Sequence, residues 1–185
     1  MAAGESREGT PYDLLKAVES RLREKLEYLG QGNCFITDEP IPPNSYFPSG
    51  KLTCTICLLD GKFDYPHWVG GGPAQLTEHA DLVVTLMTRT KIDQPPRAEQ
   101  ALLNAEFGML TKHKPRLLQA LLVDDPAATA LKPWVPLDAD GNQFLLDASL
   151  IPSRARGPTQ LAGGDWLGLE LHFSVAYDWD LSFAT

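Results

Sequence analysis

Two cysteines stand three positions apart, the C-x-x-C spacing found in redox pairs and in half of many zinc sites. Cys54 and Cys57 lie in KLTCTICLL, whose alternating apolar residues predict a strand. Because successive strand side chains point to opposite faces, this odd spacing separates the two sulfurs. A zinc site would need two more ligands, and only Cys34 and four scattered histidines remain. The sequence therefore predicts neither a metal site nor a redox site.

The segment DADGN resembles the opening of a calcium-binding loop. Asp138, Asp140 and Asn142 have the right spacing. The position that requires glycine is Gln143, however, and the position that requires a terminal carboxylate is Ser149. A hairpin turn between two short strands fits this composition better than a calcium site.

The other motifs of enzymes are missing or incomplete. The run Gly70, Gly71, Gly72 is not followed by the Lys-Ser/Thr of a phosphate loop, and the chain has no G-x-S-x-G sequence. His172 stands alone on the polar side of a predicted strand, which is more typical of a hydrogen-bonded side chain than of a general base. These motifs therefore assign no catalytic residue and no cofactor, although catalytic pairs can lie far apart in a sequence.

The charge and composition limit the possible partners. The chain has 185 residues and a formal net charge of −8, which argues against nucleic-acid binding by its surface as a whole. No apolar run approaches the ~20 residues of a membrane span, and the N-terminus MAAGESREGT lacks the apolar core of a signal peptide. We expect synthesis in a cytoplasm, with no membrane partner and no sequence-specific nucleic acid.

The elements that must position these residues are dominated by the last stretch of the chain, DWLGLELHFSVAYDWDL. From Leu167 to Leu181 every second residue is apolar and the residues between are small or polar. This alternation predicts a strand with one apolar and one polar face. Such a strand would span roughly 45–50 Å, so we expect its end to leave the domain and pack elsewhere.

The preceding chain predicts a helix, short strands, a helical region and long loops. The first helix begins at Thr10 and Pro11 and carries one apolar stripe. The predicted strands are Asn33–Thr37, Lys51–Leu59 and Ala80–Thr90, and a turn at Asp60-Gly61 follows the second of them. Helices are predicted from Arg97 to Leu122, with a division near Pro115. The predicted loops are Asp38–Gly50 and Ile151–Gly164. The economical fold is α+β, an antiparallel twisted sheet with helices packed on one face and long excursion loops. We expect a flexible N-terminus over 1–9 and a single domain over 10–185, with a loop and hairpin insertion at about 124–164.

The order of these elements resembles the tail completion or tail terminator (head–tail joining) proteins of tailed bacteriophages. The matching stretches are Leu14 to Leu29, Ala80 to Thr90, Glu99 to Leu122 and Leu169 to Tyr177 (LELHFSVAY). The resemblance implies a structural virion protein of the tail or neck, without enzymatic activity. It further implies self-association, commonly into a hexameric ring, that caps the tail tube and contacts the tube protein and the neck or connector proteins.

The expected interface consists of apolar, mostly aromatic, residues and two arginines on loops and at the end of the long strand. These residues are Tyr46, Phe47, Trp68, Arg154, Arg156, Trp179, Leu181 and Phe183. An alternative hypothesis is a small cytoplasmic enzyme or ligand-binding domain with its site near the loop from His67 to His79. In that case the apolar end of the last strand should close the protein's own core.

Overall fold

A computed structural model describes residues 11–40, 52–64, 75–89, 96–138, 140–143, 145–161 and 166–180. The helices are α1 (Pro11–Lys25) and α2 (Pro96–Leu122). The strands are β1 (Cys34–Ile36), β2 (Thr53–Phe63), β3 (Gln75–Arg89), β4 (Ile151–Leu161) and β5 (Trp166–Asp180).

The strands form one sheet with the order β1-β2-β3-β5-β4. β2, β3, β5 and β4 pair antiparallel, whereas the short edge strand β1 pairs parallel with β2. The sheet is therefore mixed at one edge. With two helices it forms the α+β fold that the sequence predicts.

Both helices pack on one face of this sheet. The main core joins Leu14, Val18 and Leu22 of α1 to the apolar face of the central strands. Since α1 shows the apolar stripe expected of a helix on a sheet, its prediction is confirmed. Leu14, rather than Leu15, is the fully buried residue of its first turn.

The second helix is continuous where the sequence predicts a division. Pro115 lies inside α2 and removes one backbone donor. Leu110, Leu117 and Leu121 are fully buried on either side of it. Because both halves of α2 are held against the same core, the helix continues through the proline.

β3 and β5 are the two longest strands, and they pair along their whole length. Their register runs from Arg89 opposite Trp166 to Gln75 opposite Asp180. We expected the end of β5 to leave the domain, and up to Asp180 this expectation is wrong, because the strand stays paired with β3. β3 is just as long and supplies backbone partners to the last residue.

Two predicted turns or loops are strands in the structure. The prediction of a turn at Asp60-Gly61 is wrong, because β2 continues to Phe63. Its pairing with β3 has a register shift between Leu59 and Lys62. The predicted loop over 151–164 is also wrong, since residues 151–161 form β4, an edge strand on β5. Prolines are tolerated at an edge, and β4 has irregular register at two places.

The DADGN hairpin is confirmed. Leu137 bridges antiparallel to Gln143, and the Asp138 N–H donates to the Asn142 carbonyl at 2.9 Å. The Asp138 side chain accepts hydrogen bonds from the N–H groups of Asp140 and Asn142. Gly141 has a φ of 84°, a conformation that favours glycine. We call residues 137–143 the acidic hairpin.

Candidate functional site

The sheet face opposite the helices carries a polar network that the sequence does not predict. His172 and Glu170 are buried on β5, although the alternation assigns them to a wet face. The His172 Nδ1 atom lies 2.7 Å from Oδ2 of Asp81, and its Nε2 atom lies 3.2 Å from a terminal nitrogen of Arg154. Arg156 lies 3.7 Å from Glu170. These contacts link polar positions of β3, β4 and β5, whereas the buried hydroxyl of Thr85 on β3 has no hydrogen-bond partner among the described residues.

These contacts indicate the hydrogen-bond roles of the two imidazole nitrogens. The Arg154 guanidinium can only donate, so Nε2 of His172 accepts. In this arrangement the Nδ1–H group donates a hydrogen bond to Asp81. Because both ring nitrogens are engaged, neither is left to take a proton from a substrate. The geometry favours a structural histidine over a general base.

The cysteines show no activated nucleophile. Burial raises the pKa of Cys57 to about 12, with smaller effects of Asp81 and Glu170, so this thiol stays protonated at neutral pH. As the sequence predicts, Cys54 lies on the opposite, helix-facing side of the sheet. Its register partner is Cys34 of β1, and the hydrogen bond between these two buried thiols lowers the pKa of Cys34 and raises that of Cys54.

Removing the carboxylate of Asp81 should destabilise the protein. In Asp81→Ala the buried Nδ1–H of His172 loses its acceptor, and we expect the free energy of unfolding to fall by about 1–2 kcal/mol. Denaturant titration of the variant and the parent measures this difference.

The matched control is Asp64→Ala. Asp64 also contacts a histidine, at 3.0 Å from Nε2 of His79, but both side chains are exposed. We expect a change of no more than about 0.5 kcal/mol there. Equal effects of the two substitutions would show that the buried network adds nothing to stability.

A second feature is a row of exposed apolar side chains across the end of the sheet where β5 ends. Phe63 pairs with Glu78, and Glu78 pairs with Tyr177. On the edge of β5 that faces away from β3, Leu145 forms an antiparallel bridge with Tyr177. Leu146, the next residue, therefore lies near this end of β5 as well. Phe63 is 57% exposed on the helix side of the sheet, in register with Tyr177. Leu146 is 50% exposed, and Ile151, which pairs with Ser174 on the opposite side of the sheet, is 44% exposed. We call Phe63, Leu146 and Ile151 the apolar row.

A cavity of about 550 Å³ opens on the helix side of this sheet end. It lies between the start of α1 at Pro11 and the strand residues Leu58, Phe63, Glu78 and Tyr177. Burial raises the pKa of Tyr177, and the hydrogen bond of its hydroxyl with Glu78, the acidic group of the cavity, raises it further. The lining is otherwise apolar, so this cavity is better suited to an apolar side chain than to catalysis.

A third feature is a cleft of about 650 Å³ between the C-terminal halves of the two helices, which we call the helix cleft. Three cations and one carboxylate line it among apolar residues. The full lining is Arg21, Lys25, Leu26, Glu27, Tyr28, Arg116, Gln119, Ala120, Val123 and Pro126.

Arg21 closes one end of the helix cleft and is buried to 7% exposure. Its Nε donates to the Ala120 carbonyl at 3.0 Å, and one terminal nitrogen donates to the carbonyls of Val123 at 2.7 Å and Asp124 at 2.5 Å. The guanidinium also lies 5.4 Å from the ring centre of Trp134. Arg21 thereby caps the C-terminus of α2, where carbonyls lack helical partners. An arginine within a helical pattern gives no sequence signal for this role.

The residues expected from the sequence to form an interface are only partly described. Arg154 and Arg156 lie on the exposed edge strand β4, where they contact His172 and Glu170. Trp179 lies in β5, where its backbone is in register with Leu76 of β3. Tyr46, Phe47, Trp68, Leu181 and Phe183 lie outside the described residues, as does most of the His67–His79 loop.

Within the described part of the chain, no three His, Cys, Asp or Glu residues come together as a group that could hold a metal ion. Neither described helix combines the length and apolar character needed to cross a membrane.

No protein-family model matches the chain, and no curated protein matches it in sequence. Among solved structures, the chain is similar to a chain from the virion of a native gene transfer agent particle, with a TM-score of 0.39 and 16% sequence identity. The alignment covers 90% of this chain and 95% of that chain.

Proposed function

We propose that this protein is a structural component of a phage-like tail or neck, located in the virion and without enzymatic activity. Copies of the chain form a ring, a hexamer, that caps the tail tube and joins it to the head connector. Its partners are further copies of itself, the tail tube protein and the neck proteins.

The observation that carries this proposal is the apolar row. Phe63 on the helix side and Ile151 on the opposite side are exposed at the same end of the sheet, together with Leu146, and Phe63 lines a cavity with a largely apolar lining. Exposed apolar side chains grouped in one region are typical of surfaces that a partner covers. In the sequence, Leu181 and Phe183 continue the alternation beyond the end of β5. A ring subunit needs such a surface to contact its neighbour.

The polar network supports a structural role over an enzymatic one. The most suggestive group of catalytic residue types, His172 with Asp81 and Cys57, has an imidazole with both nitrogens engaged. Its thiol has a pKa raised to about 12. The arrangement ties β3, β4 and β5 together, which suits a subunit whose sheet must keep its shape during assembly.

Light scattering together with electron microscopy of the purified protein tests the proposal. We expect rings with a mass near six times the 20.3 kDa of the chain. A protein that remains monomeric up to concentrations on the order of 1 mM would contradict ring assembly.

Substituting the apolar row should abolish assembly without unfolding the subunit. In the double variant Leu146→Ser, Ile151→Ser we expect monomers whose thermal midpoint differs from that of the parent by only a few degrees. The matched control is Leu131→Ser, because Leu131 is 66% exposed but follows α2 and does not belong to the row. Rings in the double variant would show that the row is not the contact.

A further inference from the structure

We propose that the helix cleft of one copy receives the acidic hairpin of the next copy, so that this head-to-tail contact builds the ring. This inference rests on the proposed function and adds to the apolar row a second pair of surfaces that meet between neighbouring subunits. A contact between two different surfaces of identical subunits repeats around an axis and closes into a ring when the rotation permits.

The helix cleft concentrates positive charge in an acidic protein. Arg116 and Lys25 line its opposite sides, and Lys112 lies one turn before Arg116 on α2. Lys25 contacts Glu24 at its rim, whereas Arg116 has no carboxylate within ion-pair distance among the described residues. Burial lowers the pKa of His113, and the charge of Arg116, three residues later on α2, lowers it further.

The lining also offers apolar surface between the charges. Leu26, Val123 and Pro126 lie in the cleft together with Ala120. The Glu27 carboxylate opposes an acidic ligand, and Arg21 and Lys25 already lie 4.0 Å from Asp124 and 2.8 Å from Glu24, so Arg116 is the cation of the lining that would receive one. A volume of about 650 Å³ lies within the range of sites that hold a ligand of several side chains.

The acidic hairpin has the complementary composition. Asp140 is exposed at its tip, and Leu137 is 46% exposed at its base. Backbone N–H groups of Asn142, Asp140 and Gly141 lower the pKa of Asp138, so this carboxylate remains ionised. A rigid turn with two carboxylates and an exposed leucine matches a cleft with cations around apolar residues.

The two surfaces are distinct parts of the subunit. The cleft uses α1 from Arg21 onward and the turn that follows it, and none of its lining residues belongs to the hairpin. The hairpin begins three residues after Trp134, whose ring lies against Arg21, and leads into Leu145, which bridges to Tyr177. Since the hairpin of a subunit does not occupy its own cleft, we direct it at the cleft of the neighbouring subunit.

Charge reversal on each side tests the contact. Arg116→Glu and Asp140→Lys each place like charges at the proposed contact, and each variant alone should lose at least ~10-fold in self-association. An equal mixture of the two should restore it. In that mixture the basic hairpin of the Asp140→Lys variant meets the acidic cleft of the Arg116→Glu variant. At the alternate contacts, the unchanged hairpin meets the unchanged cleft. The control is Lys132→Glu, an exposed charge reversal outside both surfaces.

Each outcome of the charge-reversal experiment supports or contradicts the proposed contact. Loss in both single variants and recovery in the mixture support the contact, and weaker assembly of the parent at high salt agrees with it. Rings that form in both variants would overturn this inference and leave the proposed function intact. A parent that never forms rings would overturn both.

Discussion

Replacing Arg21 with alanine is expected to lower the free energy of unfolding by about 3 kcal/mol. The substitution leaves the carbonyls of Ala120, Val123 and Asp124 without their donor at the end of α2. Hydrogen bonds to a charged donor each contribute roughly 1.5–3 kcal/mol, and their losses are not additive. Denaturant titration followed by circular dichroism measures the change.

Two further variants separate the cap from other effects of the substitution. Arg21→Lys keeps the charge but not the planar guanidinium that reaches several carbonyls, so we expect an intermediate loss. Lys16→Ala removes a basic residue from an exposed position of the same helix and should change stability by less than about 0.5 kcal/mol. If Arg21→Ala behaved like Lys16→Ala, the cap would have no energetic role.

Local patterns predict much of this fold because the core depends on them. The stripe of α1 and the alternation of β5 each define an apolar face, and these two faces meet in the core. Any arrangement that buries both requires a helix on a sheet. The position of β3 follows similarly, because residues of both its faces are apolar and the strand is central.

The sequence-based predictions fail where residues far apart in the sequence determine the burial and the contacts of a side chain. Glu170 and His172 look like solvent-facing positions in the sequence. Both are buried in the sheet, where His172 lies beside Asp81 and Arg154 and Glu170 lies beside Arg156. Arg21 is separated by 99 residues from the carbonyl of Ala120 that it caps. Neither pairing leaves a local signal, so the network and the cap are visible only in three dimensions.

The strand β4 is a second place where the sequence predicts the wrong structure, and a glycine explains why. Prolines and glycine in IPSRARGPTQL are typical of a loop, yet the segment pairs with β5 on both sides of a register shift between Arg156 and Thr159. Gly157 lies in this shift with a φ of 90°. The turn-forming residues thus provide a bulge within an edge strand rather than a loop.

Gly157→Ala should therefore destabilise the protein by about 2–4 kcal/mol. A side chain at this φ is strained. A Cβ here would also lie closer to the Gly168 carbonyl oxygen of β5 than real Cβ atoms come to a neighbour. The strands would have to separate locally, which would disturb the contacts of Arg154 and Arg156 as well. Denaturant titration gives the loss, and hydrogen exchange should show faster exchange in β4.

The comparison with Gly108→Ala makes this prediction specific to the bulge. Gly108 lies in α2, and a Cβ there meets nothing within 4 Å. Since alanine favours a helix more than glycine does, we expect that variant to gain about 0.5–1 kcal/mol. Opposite signs for the same chemical change would show that Gly157 is required by its backbone geometry. A neutral Gly157→Ala would mean that β4 is a loosely held edge, and the exposed Arg154 and Arg156 would then be free to move with it.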